Sequence, residues 1–177
     1  FYRLPKGSYR RKVKLAIHKK VGSMDTYILE SRKGSNLTFE RMLIMAKLTP
    51  YIFSEDAKAQ AEFYTSALGG EILSVKTFGE LPGSNEEMKD KVLHLSLVAG
   101  GVPIYMSDSM YQSLDRGNGM HLTLAFDSDA EAHEAFDRLS EGGKVVDPLK
   151  PQFWGALFGV IEDKFGVLWQ VTTEASA

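Results

Sequence analysis

The sequence predicts an α+β fold made of two paired βαβββ modules, whose curved and mainly antiparallel sheets enclose a cleft. Two observations lead to this expectation. From residue 46 onward the chain resembles itself at an offset of 73 residues. Each copy also contains a short apolar strand, an amphipathic helix ending at two glycines, and three more strands. The 177 residues, 44% hydrophobic and 25% charged, are typical of one ordinary globular domain or of two small ones.

The internal repeat is clearest around the two helices. Seven of the twenty ungapped positions from residue 53 onward are identical to their partners from residue 126 onward. The identities include Phe63 over Phe136, and the glycine pair 69–70 over the pair 142–143. Because these identities fall at structurally demanding positions, they indicate a duplicated unit.

The first module covers residues 46–112 approximately. Its first strand is followed by a helix for which Ser54 offers a cap, and Gly69-Gly70 ends that helix. Gly100-Gly101 is a strong hairpin signal between the last two strands. The predicted strands are 48–53, 71–77, 92–99 and 102–107.

The second module covers residues 119–174 approximately. Its helix begins with the capping box Ser128-Asp129-Ala130-Glu131 and ends at Gly142-Gly143. The predicted strands are 121–126, 144–148, 155–162 and 167–173. A sheet with one helix covers only one of its faces, so two modules are expected to cover each other and enclose a small-molecule pocket.

The N-terminal segment differs in charge from the rest of the chain. Residues 1–45 contain 11 Lys and Arg against 3 Asp and Glu, whereas the remainder contains 10 against 20. Since the repeated region begins just after Met45, we interpret residues 1–45 as a basic extension of non-native origin, either translated upstream sequence or an artificial addition, with the domain at 46–174. The alternative is a basic arm that binds nucleic acid, although an acidic domain would oppose this.

Several classes of protein are excluded or disfavoured by what the sequence lacks. The absence of cysteine excludes disulfides, thiolate metal sites and cysteine nucleophiles. No apolar run approaches the roughly 20 residues that span a bilayer, and no signal peptide is recognised, so we expect a cytoplasmic protein without membrane contacts. The sequence contains no phosphate-binding glycine loop and no nucleophile elbow.

Particular segments resemble a known group of proteins. They are Thr49-Pro50-Tyr51, the stretch from Leu93 to Leu97 with Gly100-Gly101, the triplet 106–108, and above all Glu162-Asp163-Lys164-Phe165-Gly166-Val167-Leu168-Trp169. Together they resemble PhnB-like proteins of the glyoxalase/bleomycin resistance/dioxygenase superfamily, also called vicinal oxygen chelate proteins. The resemblance covers about residues 46–174 and implies the paired-module fold.

The resemblance also implies four positions at which active relatives hold a metal. By internal symmetry these are Leu48, Tyr105, His121 and Gln170, with Thr49 replacing Leu48 if the register slips by one residue. A divalent cation prefers at least three good donors, and here only His121 is one. We therefore expect the metal chemistry of the superfamily to be lost or much weakened, and we predict no other cofactor.

Strand alternation predicts which side chains line the cleft, because residues two apart share a face. These candidate ligand-binding residues are His94, Ser96, Tyr105, His121, Thr123 and Gln170, to which the loop residue Trp154 is added as a lid. No catalytic residue is assigned.

Three functions remain open at this point. The first is a homodimer that binds a small apolar or aromatic molecule. The second is an enzyme, either a lyase, isomerase or dioxygenase of the glyoxalase type or a metal-free catalyst that uses a histidine. The third is nucleic-acid binding through the basic arm, which we rank last. A methyltransferase label is common among PhnB-like sequences, but this chain shows no loop for S-adenosylmethionine.

Overall fold

The computed structural model describes residues 18–21, 24–33, 36–42, 47–110 and 113–174. The chain divides into two compact units, and the boundary along the sequence falls between residues 48 and 49. In the first unit, β1 (His18–Val21), β2 (Met24–Lys33) and β3 (Asn36–Met42) form an antiparallel sheet in that order. The other residues of the predicted extension, including Met45, lie outside the described residues.

The second unit contains both predicted modules, each with the expected element order. Module 1 consists of β4 (Tyr51–Ser54), α1 (Ala57–Leu68), β5 (Gly70–Thr77), β6 (Val92–Ala99) and β7 (Val102–Asp108). Module 2 consists of β8 (Leu122–Phe126), α2 (Asp129–Leu139), β9 (Lys144–Pro151), β10 (Leu157–Glu162) and β11 (Leu168–Thr173). Within the described residues, neither helix is long and apolar enough to cross a membrane.

Each module forms its own four-stranded sheet. The strand orders are β4-β7-β6-β5 and β8-β11-β10-β9, so the first strand of each module lies beside its last. Only that pair is parallel in each sheet, and the other pairs are antiparallel. The predicted α+β class with mainly antiparallel sheets is therefore confirmed.

The offset of 73 residues is wrong for the first strand and the helix of the repeat. Ile52 pairs with Met106 as Leu124 pairs with Val171, and the helix caps are Asp56 and Ser128, so the true offset there is 72. Gly69 follows Leu68 directly, whereas Ser140, the equivalent of Leu68 at an offset of 72, is separated from Gly142 by one residue, Glu141. That one extra residue restores the offset of 73 at the glycines, both of which have a positive φ.

Two other local predictions also need correction. The first strand begins at Tyr51 and not at residue 48, and the side chain of Leu48 is 94% exposed. The cap of α1 is Asp56, whose Oδ1 accepts a hydrogen bond from the Ala59 backbone N–H at 2.9 Å, while Ser54 Oγ accepts one from Asp56. At α2 the predicted cap residue is confirmed, because Ser128 Oγ accepts from the Glu131 N–H, and the Ser128 hydroxyl also donates to Glu131 Oε2.

The core lies between the sheets and their helices, and one buried carboxylate links the two modules. Asp163 precedes β11 and is 3% exposed. Its Oδ2 accepts hydrogen bonds from Tyr64 Oη at 2.7 Å and Trp169 Nε1 at 2.9 Å, and its Oδ1 accepts from the backbone N–H groups of Phe165 and Val167. We call this arrangement the Asp163 network. Burial, followed by the negative charge of Asp163, raises the pKa of Tyr64 well above its usual value.

Candidate functional site

The sheet of module 1 presents rings on the side opposite to α1. Alternation on β4 buries Ile52 and leaves Tyr51 and Phe53 exposed, at 46% and 49%. Tyr105 on the neighbouring strand pairs with Tyr51 in register and is 39% exposed. His94 completes this group, which we call the aromatic face: Tyr51, Phe53, His94 and Tyr105.

The rings of the aromatic face form one continuous surface. The centroids of Tyr51 and Phe53 are 5.3 Å apart, those of Tyr51 and His94 are 5.9 Å apart, and those of His94 and Tyr105 are 5.3 Å apart. These separations lie within the range in which aromatic pairs attract each other. Exposed rings held in this way offer a stacking surface for a planar apolar molecule.

The sheet of module 2 presents polar groups at the corresponding place. Thr123 Oγ1 donates to Gln170 Oε1 at 3.0 Å, and Gln170 Nε2 lies 3.4 Å from His121 Nδ1. Leu124, Trp169 and Val171 are buried on the opposite side, against the core. We call the chain of contacts from Thr123 through Gln170 to His121 the amide relay.

The two remaining predicted site residues lie at the margins of these groups. Ser96 Oγ is 2.8 Å from Ser74 Oγ on the adjacent strand β5. Trp154 follows β9 and is 38% exposed, and its ring lies 4.9 Å from that of Phe153 and 6.1 Å from that of Phe158. Trp154 therefore lies in the connection between β9 and β10, two strands of the sheet that carries the amide relay.

The structure therefore brings the predicted residues together as two groups. No described contact joins the aromatic face to the amide relay, and the common cleft remains a prediction. A cavity of about 310 Å³ borders the aromatic face, lined by Tyr51, Phe53 and Met120 among others. Tyr51 and Phe53 were not among the sequence-predicted site residues, although their spacing of two on a strand would have identified a shared face.

The four positions implied for a metal do not fit a divalent cation. With the corrected offset, the equivalent of His121 is Thr49 and not Leu48. Gln170 Oε1 already accepts from Thr123, and the Nδ1 atom of His121 faces the amide nitrogen. Within the described residues, no three His, Cys, Asp or Glu side chains cluster in a manner that could hold a metal. The set thus offers one imidazole, one phenol and no carboxylate.

The fold and the two faces can now be compared with known proteins. Residues 44–171 match the family model of the Glyoxalase/Bleomycin resistance protein/Dioxygenase superfamily. The chain belongs to this superfamily. The fold implied by the sequence resemblance is thereby confirmed.

Individual relatives support the same assignment. Protein YjdN of Escherichia coli is 29% identical over 136 residues, which cover 70% of this chain and 92% of that protein. The crystal structure of PA1353 from Pseudomonas aeruginosa has 36% identity and a TM-score of 0.65, over 75% of this chain and all of that chain (100%). A protein of Bacillus cereus, described as a putative 3-demethylubiquinone-9 3-methyltransferase and PhnB protein, has 25% identity and a TM-score of 0.61, over 73% of this chain and 100% of that one. The similarity to PhnB-like proteins is thus confirmed.

Proposed function

We propose that the protein binds a small, planar organic molecule without a metal ion, in a cleft between the aromatic face and the amide relay. The aromatic face supplies stacking area, and the amide relay supplies hydrogen bonds that orient the molecule. Ligand sites commonly combine an apolar lining with a few convergent polar groups. The single observation that carries the proposal is the exposure of three adjacent rings on one sheet face, at 46%, 49% and 39%.

Exposure of these rings has a cost that binding would offset. Contiguous apolar surface in water is a feature that soluble proteins retain mainly for interaction. Each ring is also held from one side by the sheet, so little side-chain freedom is lost when a flat molecule stacks on it. The polar groups at corresponding strand positions of module 2 then provide direction, which stacking alone lacks.

We include a second copy of the chain in the proposal. The edge strands β5 and β9 carry exposed aliphatic side chains: Leu73 at 57%, Val75 at 38%, Val145 at 45% and Val146 at 50%. Unpaired edges of this kind favour association. A homodimer would cover them.

Native mass spectrometry of the full chain tests both parts of the proposal in one spectrum. We expect the mass of two chains together with a co-purified organic molecule that is released on denaturation. Tyr105→Ala should weaken rebinding of that molecule by about tenfold, because one stacking ring is lost. Leu81→Ala serves as the matched control, since Leu81 is 46% exposed but lies outside both sheets.

Two results would contradict the proposal. One is equal loss of affinity in Tyr105→Ala and Leu81→Ala, which would show that the molecule does not contact the aromatic face. The other is a divalent cation at His121 that co-purifies in stoichiometric amount and is required for binding, which would favour the metal-dependent enzyme instead.

A further inference from the structure

The role that His121 can play depends on which ring nitrogen carries its proton. One nitrogen, Nδ1, lies 3.4 Å from the side-chain amide of Gln170. The other nitrogen, Nε2, has no hydrogen-bond partner among the described residues. His121 is half-buried and precedes β8, on the side of the strand opposite to the buried Leu124.

With the Gln170 amide oriented as it is in the structure, the amide relay favours one tautomer of His121. An amide oxygen can only accept a hydrogen bond and an amide nitrogen can only donate one. Gln170 Oε1 accepts the hydroxyl proton of Thr123, so the amide nitrogen is the atom that faces His121 Nδ1. In this orientation of the amide, Nδ1 must offer a lone pair to the amide nitrogen, which places the proton of the neutral ring on Nε2.

The opposite arrangement is chemically coherent but has opposite consequences. If the amide were rotated, its oxygen would face Nδ1, the proton would move there, and Nε2 would become a lone pair able to act as a base or a ligand. Thr123 would then accept from the amide nitrogen. The orientation of one amide thus decides whether the ring donates or accepts on its outer side.

We propose that Thr123 and Gln170 hold His121 with its proton on Nε2, so that the ring donates a hydrogen bond to a carbonyl, carboxylate or phenolate oxygen of the bound molecule. Thr123 and Gln170 are positioning residues in this arrangement. The ligand class rests on the proposed function, but the tautomer is a property of the protein alone. The two can therefore fail separately.

Nitrogen NMR of the full chain labelled with ¹⁵N-histidine tests the tautomer directly, at a pH at which the imidazole is neutral. The chain has 4 histidines, and loss of one signal set in His121→Gln assigns the residue. We expect the Nε2–H pattern in the wild type and in Thr123→Ser, which keeps the hydroxyl. Thr123→Val should give a mixture of tautomers, and Gln170→Glu should give the Nδ1–H pattern, because a carboxylate only accepts.

Two outcomes overturn the assigned tautomer. The first is an Nδ1–H pattern in the wild type. The second is an unchanged wild-type pattern in Thr123→Val, which would mean that the hydroxyl does not orient the amide. If Thr123 had only a structural role, Thr123→Val would not change the tautomer. A change in Thr123→Val that does not occur in Thr123→Ser therefore identifies the hydroxyl as the group responsible.

A pair of matched small molecules tests the ligand class. Acetophenone and ethylbenzene have the same ring and nearly the same size, but only acetophenone carries an acceptor oxygen. We expect both to shift the resonances of Tyr105, and only acetophenone to shift the His121 Nε2 resonance. Equal shifts of Nε2 would overturn the acceptor preference. Failure of both to affect Tyr105 would instead contradict the proposed function, while the tautomer measurement still decides the role of the amide relay.

Discussion

Module 1 presents aromatic rings on the face of its sheet opposite to α1. Module 2 presents an amide, a hydroxyl and an imidazole at the corresponding place. The difference falls at equivalent positions. Tyr51 pairs with Tyr105 in one sheet just as Thr123 pairs with Gln170 in the other. The backbone pairing is thus shared by the two modules, and the side chains at the same places supply stacking in one and hydrogen bonds in the other.

The interiors of the modules differ in a similar way. Tyr64 and Phe136 are equivalent helix residues under the corrected offset, but Tyr64 donates to Asp163 while Phe136 lies against Gly159. Gly159 in turn occupies the position that Leu95 fills in module 1, since Leu95 pairs with Met106 and Gly159 with Val171. The helix positions therefore carry rings of nearly the same size, whereas the strand position carries a leucine side chain in module 1 and none in module 2.

The largest expected effect concerns the difference between Tyr64, which donates to Asp163, and its counterpart Phe136. Asp163→Ala removes the acceptor of two buried side chains and two backbone N–H groups. We expect it to lower the free energy of unfolding by about 3–5 kcal/mol, because buried donors without a partner are costly. Urea unfolding followed by Trp fluorescence and by circular dichroism measures the change.

Two variants calibrate that result. Tyr64→Phe gives module 1 the ring that module 2 carries, and should cost about 1–2 kcal/mol. Glu162→Ala removes the neighbouring, half-exposed carboxylate and should change the free energy of unfolding by less than about 0.5 kcal/mol. A cost of Asp163→Ala no greater than that of Tyr64→Phe would show that the carboxylate does not organise the turn before β11.

The difference between Gly159 and its counterpart Leu95 predicts an effect of intermediate size on stability. A Cβ atom at Gly159 would lie 2.7 Å from the Phe136 ring and 2.8 Å from the backbone of Leu149. Gly159→Ala should therefore destabilise the protein by about 1–3 kcal/mol through overpacking, measured as a shift of the urea midpoint at unchanged slope. Gly119→Ala is the control, because a Cβ there meets nothing within 4 Å and the backbone has no positive φ. Equal stability of the two variants would show that Phe136 on α2 does not pack closely against Gly159 on β10.

The repeat could be predicted from the sequence because strands, helix caps and glycine turns are local patterns. The exact equivalences could not. Identity between Phe63 and Phe136 favoured an offset of 73, while the pairing of Ile52 and Leu124 with their neighbours establishes 72. One extra residue after α2 leaves no signature in residue type. Side-chain alternation likewise identified His121, Thr123 and Gln170 as sharing a face, but not the hydrogen bond between the Thr123 hydroxyl and the Gln170 amide.

The Asp163 network was beyond sequence reasoning for a different reason. Tyr64 and Asp163 are 99 positions apart, and nothing in the chemistry of either residue specifies the other as its partner. The motif around Asp163 served as a mark of resemblance, whereas its structural role is to accept hydrogen bonds from both modules. Contacts of this kind depend on how the modules pack, which local patterns do not encode.

The smallest expected effect concerns alkaline pH and isolates Tyr64 from its counterpart Phe136, which cannot ionise. Burial and the charge of Asp163 raise the pKa of Tyr64 in the folded state above the value of about 10 expected in the unfolded chain. The folded protein thus retains this proton where the unfolded chain releases it. By linkage, the contribution of Tyr64 to stability is fully present below about pH 10 and is lost as the pH rises further.

Other tyrosines titrate equally in the wild type and in Tyr64→Phe, so the difference between the two proteins' curves of unfolding free energy against pH reports Tyr64 alone. We expect that difference to be constant below about pH 10 and to change above it, with the wild type losing stability more steeply; parallel curves throughout would show that the phenol ionises as readily inside the protein as outside it.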